Sequence, residues 1–196
     1  MPALRVAKRS TPLACLALLL AAVLPVISAG PLGPGDAAAA GLIAPAKYCS
    51  DNAANGGRAE MAKARRSMIC MVNYARRRKG MRPYHRQPKL NWSSGRKARD
   101  ILRCGFSHGA CGRAFDYWIR RSGYLGGGGW ATGENIAWGS GSLGSVRSIF
   151  VAWMKSKGHR EAILDRSFTD VGVGVTRGRF SGIAGARIWV LHFGYN

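Results

Sequence analysis

From Arg58 to Lys79 apolar side chains fall at Met61, Ala64, Met68, Val72 and Ala75, the three- and four-residue intervals of an amphipathic helix. The opposite positions carry Arg65, Arg66, Arg76, Arg77, Arg78 and Lys79, and Gly80 stands where such a helix stops. MRPYHRQPKL follows, with two prolines, and reads as a loop. Further helices are predicted over Trp92–Leu102, over Phe115–Arg121, and over about Leu143–Lys155. The last of these places Val146, Ile149, Phe150 and Trp153 on one face, is stopped by Gly158, and is followed by another turn at HREAIL. The period then changes. TGENIAW (132–138) reads as extended, VGVGVTRG (171–178) alternates valine with small residues, and ARIWVLHFG (186–194) is apolar and β-branched. Helices early and a small antiparallel sheet late give the α+β class, with helices covering the sheet.

The amino terminus has a different texture. Arg5, Lys8 and Arg9 precede an apolar run from Leu13 to Ile27, and Ala29 closes it with a small residue. This is the pattern of a cleaved secretory signal over residues 1–29, too short for the roughly 20 apolar residues of a spanning helix. Residues 30–47, rich in Gly, Pro and Ala, read as a leader, and residues 48–196 as the folded domain. Export changes the reading of the cysteines. With Cys15 removed, Cys49, Cys70, Cys104 and Cys111 remain, an even set suited to disulfides. Local spacing favours Cys104–Cys111 and Cys49–Cys70, each contributing about 2–3 kcal/mol in the loop-entropy picture. A zinc finger on CGFSHGAC would need a fourth ligand and reduced thiols.

Charge adds a partner class. The formal net charge is +21, and it is +18 once Arg5, Lys8 and Arg9 leave with the signal, because no acid leaves with them. Such a surface attracts polyanions, and for an exported protein that means anionic envelope polymers or lipid headgroups. Export disfavours nucleic acid as the partner, and a monomer is expected. Gly126–Gly129 and GSGSLGS lack the lysine of a phosphate-binding loop, and no G-x-S-x-G elbow is present.

Three residues carry candidate chemistry, each beside a glycine: His108, Glu134 and His159. Two imidazoles and a carboxylate suit a transition metal such as zinc, or a carboxylate-oriented general base. His192 reads as a half-buried sheet residue and His85 as exposed loop.

FSH (106–108), GENIA (133–137), the W-x4-GHR-x2-IL run from Trp153 to Leu164, F-x2-VGVGV (168–175) and a closing FG (193–194) occur in an order that resembles the CAP superfamily. That is the cysteine-rich secretory, antigen 5 and pathogenesis-related 1 group, or SCP domain, here in a bacterial short form. The likeness runs roughly from residue 67 to 194. It implies a three-layer α-β-α sandwich with a cleft lined by His108, Glu134 and His159, the two histidines holding a divalent metal, often zinc. The Cys104–Cys111 staple would then order the loop that presents His108. Asn135 is expected to bond backbone and hold Glu134 in place, and Arg160 to lie near the cleft within reach of an anionic ligand. One departure matters: longer members carry W-x-x-E, whereas here Trp153 is followed by Met154, Lys155 and Ser156. A site without that acid has less negative charge to hold a cation. The favoured function is therefore an exported binding module for a metal or small ligand. The alternative is a metal-assisted peptidase with Glu134 as base.

Overall fold

The computed structural model describes residues 39, 41–51 and 57–196. The expected signal peptide lies outside the described residues.

The first helical pattern forms α1, Arg58–Arg78, which buries Ala64, Met68, Met71, Val72 and Ala75. Lys79 caps it, and Gly80 takes a φ of 61°, the left-handed conformation that glycine adopts without a Cβ clash. Arg76 is the exception to the basic outer face: it is only 3% exposed. Its position, four residues after Val72 and eight after Met68, puts it in the apolar stripe. Burial is tolerated because the guanidinium lies 3.5 Å over the Tyr84 ring and donates to the carbonyls of Arg82 (2.9 Å), Ile163 (3.0 Å) and Asp165 (2.8 Å).

The proline-rich loop is shorter than expected. It holds a two-residue strand, β1 (His85–Arg86), and α2 begins at Pro88 rather than Trp92, running to Cys104. Proline at the first helical position needs no N–H partner, and the Gln87 side chain accepts from the Lys89 amide at 3.2 Å. After a short 3₁₀ turn at Ala110–Gly112 come α3 (Tyr117–Arg121) and β2 (Ala131–Gly139). The fourth predicted helix divides into a 3₁₀ turn at Gly141–Gly144 and α4, Val146–Lys155. The break falls at Ser156, and Gly158 lies inside the next helix, α5 (Lys157–Ile163). β3 (Asp170–Phe180) and β4 (Ile183–Tyr195) form a hairpin through Ser181 and Gly182, both at positive φ.

The sheet order is β1-β3-β4-β2. It is mixed, not wholly antiparallel: β1 runs parallel to β3, held by His85 N–H to Thr169 and Gln87 N–H to Val171. Two residues are too few to show an alternation in sequence.

Helices cover both faces, as expected for the α+β sandwich. Val171, Val173, Trp189, Leu191 and Phe193 pack with α1, α4 and α5. The alternate positions Ile136, Ile188 and Val190 pack with Ala98 and Ile101 of α2. Gly172 and Gly174 seat α2 on that second face: a Cβ at either would lie 2.0 Å from the Leu90 carbonyl carbon or 2.2 Å from the Ser94 carbonyl oxygen. The segment read as a leader contributes Ala39, Leu42 and Ala44 to the larger core, so packing starts ahead of Tyr48. Among the described residues no helix is long and apolar enough to cross a membrane.

Candidate functional site

Glu134 lies on edge strand β2, directly opposite His192 on β4, on the face that α2 covers. Its side chain is 1% exposed. Three groups answer its charge. His192 Nε2 lies 2.9 Å from Oε2, His108 Nδ1 lies 2.6 Å from Oε1, and the Lys97 ammonium stands 3.9 Å from Oε1. Burial pushes the carboxyl pKa up, but the hydrogen bonds of the His108 and His192 rings and the charge of Lys97 outweigh it, so Glu134 stays below its ordinary 4.5.

His192 is fully buried, and burial drives its pKa down despite Glu134. A neutral ring that donates from Nε2 to the carboxylate accepts at Nδ1, where the Ser93 hydroxyl lies at 2.7 Å. At this pair the folded chain thus resists two protons that the unfolded chain accepts, near pH 6.5 for His192 and near 4.5 for Glu134. Both folded values are depressed, so their stabilisation is complete above pH 6.5 and is lost as pH falls. The melting temperature should be flat above pH 6.5 and decline below it in two stages. Scanning calorimetry across pH tests this, and Glu134→Gln should remove the lower stage.

The loop carrying His108 is fixed at three points. The Cys104–Cys111 disulfide closes it, Glu134 holds the ring, and the Lys97 ammonium donates to the His108 carbonyl. The His108 side chain is nonetheless 55% exposed. With Nδ1 engaged, Nε2 is the nitrogen left for a ligand, the arrangement that carboxylate-oriented histidines use toward metals. Ser107 does not pair with His108: its hydroxyl accepts from the Gly109 amide at 2.9 Å.

His159 sits in α5, with Nδ1 2.8 Å from the Ser156 hydroxyl. Ser156 occupies the place where the longer members' W-x-x-E pattern has its acid. Burial, and then the nearby charge of His108, lower the His159 pKa, so the two rings share one electrostatic neighbourhood. Asn135 does bond backbone, but that of His159: its Nδ2 donates to the His159 carbonyl at 2.9 Å, tying α5 to β2. Arg160 Nη1 donates to the Met154 carbonyl at 2.6 Å and so caps α4. The second disulfide, Cys49–Cys70, also forms.

Lys97, His192 and Ser93 escape the motif reading. Lys97 and Ser93 fall in the buried stripe of α2 with Leu90 and Ile101, where a lysine is the anomaly that could have drawn notice. His192 follows Ile188 and Val190 at strand alternation, which points it to the α2 face.

The profile of the CAP, or cysteine-rich secretory protein, family matches residues 70–193. The chain belongs to the CAP family. Solved structures agree on the fold. This CAP chain matches an extracellular SCP-domain protein of Bacillus anthracis at 19% identity and TM-score 0.54, over 70% of this chain and 43% of that one. An outer surface protein of Borrelia burgdorferi matches at 17% and 0.54, over 67% and 91%. A cysteine-rich secretory protein of Staphylococcus aureus matches at 17% and 0.54, over 69% and 39%. The chain thus spans less than half of the Bacillus and Staphylococcus proteins. A comparison with curated proteins finds no match.

Proposed function

We propose that this CAP domain is an exported binding module whose cleft presents His108 and His159 to a divalent cation, such as zinc, or to a small ligand, while its basic surface holds it to anionic envelope material. The observation that carries the reading is the arrangement around Glu134. A buried carboxylate fixes the His108 ring through Nδ1 and leaves Nε2 for a ligand. The neighbours' descriptions as extracellular or outer surface proteins support export, as does the hydrophobic amino terminus.

The donor set fits a cation as a two-nitrogen site. His108 and His159 would hold the metal through imidazole, a bound divalent ion would act there as a Lewis acid, and water would complete its shell. Among the described residues no group of three His, Cys, Asp or Glu side chains assembles for a metal. Both Glu134 oxygens are already engaged and the Lys97 ammonium is adjacent, so affinity is expected to be low.

The peptidase reading is less well supported. A general base works best with a pKa near the working pH and reach to its substrate. Glu134 is enclosed and held below 4.5.

Calorimetric titration of zinc into the metal-free protein decides the metal half. One equivalent should bind to the native chain and none to His108→Ala/His159→Ala. A native chain that stays folded yet binds no zinc leaves the cleft to an organic ligand.

A further inference from the structure

Three open hollows run from α1, past the β3 edge, to α2 and α3, and they share walls. The first, about 590 Å³, has Arg58, Arg65 and Arg177 in its lining. The second, about 280 Å³, lies between Arg65 and Arg99 and takes in Trp92 and Gly95. The third, about 520 Å³, begins at Arg99 and continues past Arg96, Arg103 and Arg113 to Trp118. Arg65 and Arg99 each line two of the hollows, so the three adjoin in a row, a trough with these two side chains as its posts. His108, Glu134 and His159 line none of it.

The trough is built to present guanidinium groups. Arg96, Arg99 and Arg103 recur at three- and four-residue steps along one face of α2, spanning about 10 Å of its axis. Aromatic rings brace two of the trough's arginines. Arg96 lies 5.1 Å from the Trp92 ring centre and 5.7 Å from that of Trp118, and Arg113 lies 5.2 Å from Trp118 and 5.3 Å from Tyr117. Among the described residues the lining holds one acid, Asp100, which is buried and accepts from Arg113 and from the Trp118 indole, both at 2.7 Å, with Arg103 at 3.4 Å. It anchors the array without neutralising it. Bracing removes much of the rotamer entropy that arginine otherwise loses on binding, and the planar fork matches carboxylate and sulfate oxygens.

We propose that this trough is the docking site for a linear acidic polysaccharide. The inference rests on the reading of the protein as exported and polyanion-binding, and is independent of the histidine cleft. An extended, open channel with charges at intervals fits a polymer with a repeating anionic group. Non-specific single-strand binders instead offer free ring faces on which bases stack. Here guanidinium groups lie over Trp92, Trp118 and Tyr117, and Trp92 and Tyr117 meet Trp118 edge to face.

Binding of the disulfide-bonded protein to polygalacturonate, measured across a salt series, tests this, with oligo-dT of similar charge alongside. Arg65→Ser/Arg99→Ser/Arg103→Ser should weaken polygalacturonate binding about tenfold or more and flatten its salt dependence. Arg77→Ser/Lys79→Ser/Lys157→Ser removes the same charge elsewhere and should change it less than about twofold. Trp92→Ala, which leaves the charge unaltered and takes from Arg96 the nearer of its two rings, should weaken it about threefold. Equal losses in the two triple variants, each still melting as the native chain does, would overturn the trough. Oligo-dT bound as tightly and lost in the same variant would overturn the polysaccharide. No binding of either polymer by the native chain would remove the envelope-attachment reading itself.

Discussion

Gly174→Ala should yield a chain that does not fold. The added Cβ would sit 2.2 Å from the Ser94 carbonyl oxygen and 2.3 Å from its carbon, and neither atom belongs to a flexible side chain. Relief requires α2 to lift from the sheet. That would uncover Ile188 and Val190 and separate Ser93 from His192. Overpacking a core with extra methyl groups typically costs about 1–3 kcal/mol when side chains can move. A backbone-to-backbone collision belongs to the exceptional class above about 4–5 kcal/mol, comparable with the whole stability of a small domain. Gly172→Ala should behave the same way, with Leu90 as the obstacle. Gly128→Ala is the control: nothing lies within 4 Å of its Cβ position, and the change should be neutral or slightly stabilising. Circular dichroism of the soluble fraction separates the cases. A Gly174→Ala chain that melts near the native temperature would show that the seat of α2 is not what the contact distances say.

Arg76→Met should lower the melting temperature by roughly 10 °C or more, because a buried hydrogen-bonded charge replaced by an apolar chain strands its partners at a cost of about 3–5 kcal/mol. The groups that lose a donor are the carbonyls of Arg82, Ile163 and Asp165, drawn from the loop after α1 and from the end of α5 onward, and only Asp165 keeps a second donor, the Tyr84 hydroxyl at 3.3 Å. Tyr84 loses the cation above its ring. Arg76→Lys should rescue little of this, since a single ammonium cannot reach three carbonyls in a planar fan. Full recovery in the lysine variant would mean that charge alone matters there. Thermal melts of the two variants beside Tyr84→Phe, expected to lose only about 1 kcal/mol, apportion the effect.

Arg76 also shows where a linear reading stops. Within a run of arginines it looks like one more solvated charge, and only the stripe it shares with Met68 and Val72 says otherwise. Periodicity made α1 legible because it buries one face over many residues, while β3 and β4 showed as apolar, β-branched and glycine runs because helices cover them on both faces. It could not find β1, which has two residues and takes its place from pairing with Thr169 and Val171. It placed the start of α2 late because Pro88 breaks a helix interior yet suits a helix start. The site divides in the same way. His108, Glu134 and His159 were visible as polar residues beside glycines in recognisable order. Lys97, Ser93 and His192 were not, since each hides at an apolar position and acquires meaning only when α2 meets the sheet.

The three ties on the His108 loop differ in when they can form. The Glu134 and Lys97 contacts need only a folded core. The Cys104–Cys111 bond needs an oxidant, which a reducing cytoplasm withholds and an export compartment supplies. A chain in which that bond is still open therefore carries its exposed imidazole on a slacker loop than the same chain once oxidised. On the proposed reading of an exported module, the ligand site is completed only where the oxidant is, and location sets the last step of maturation.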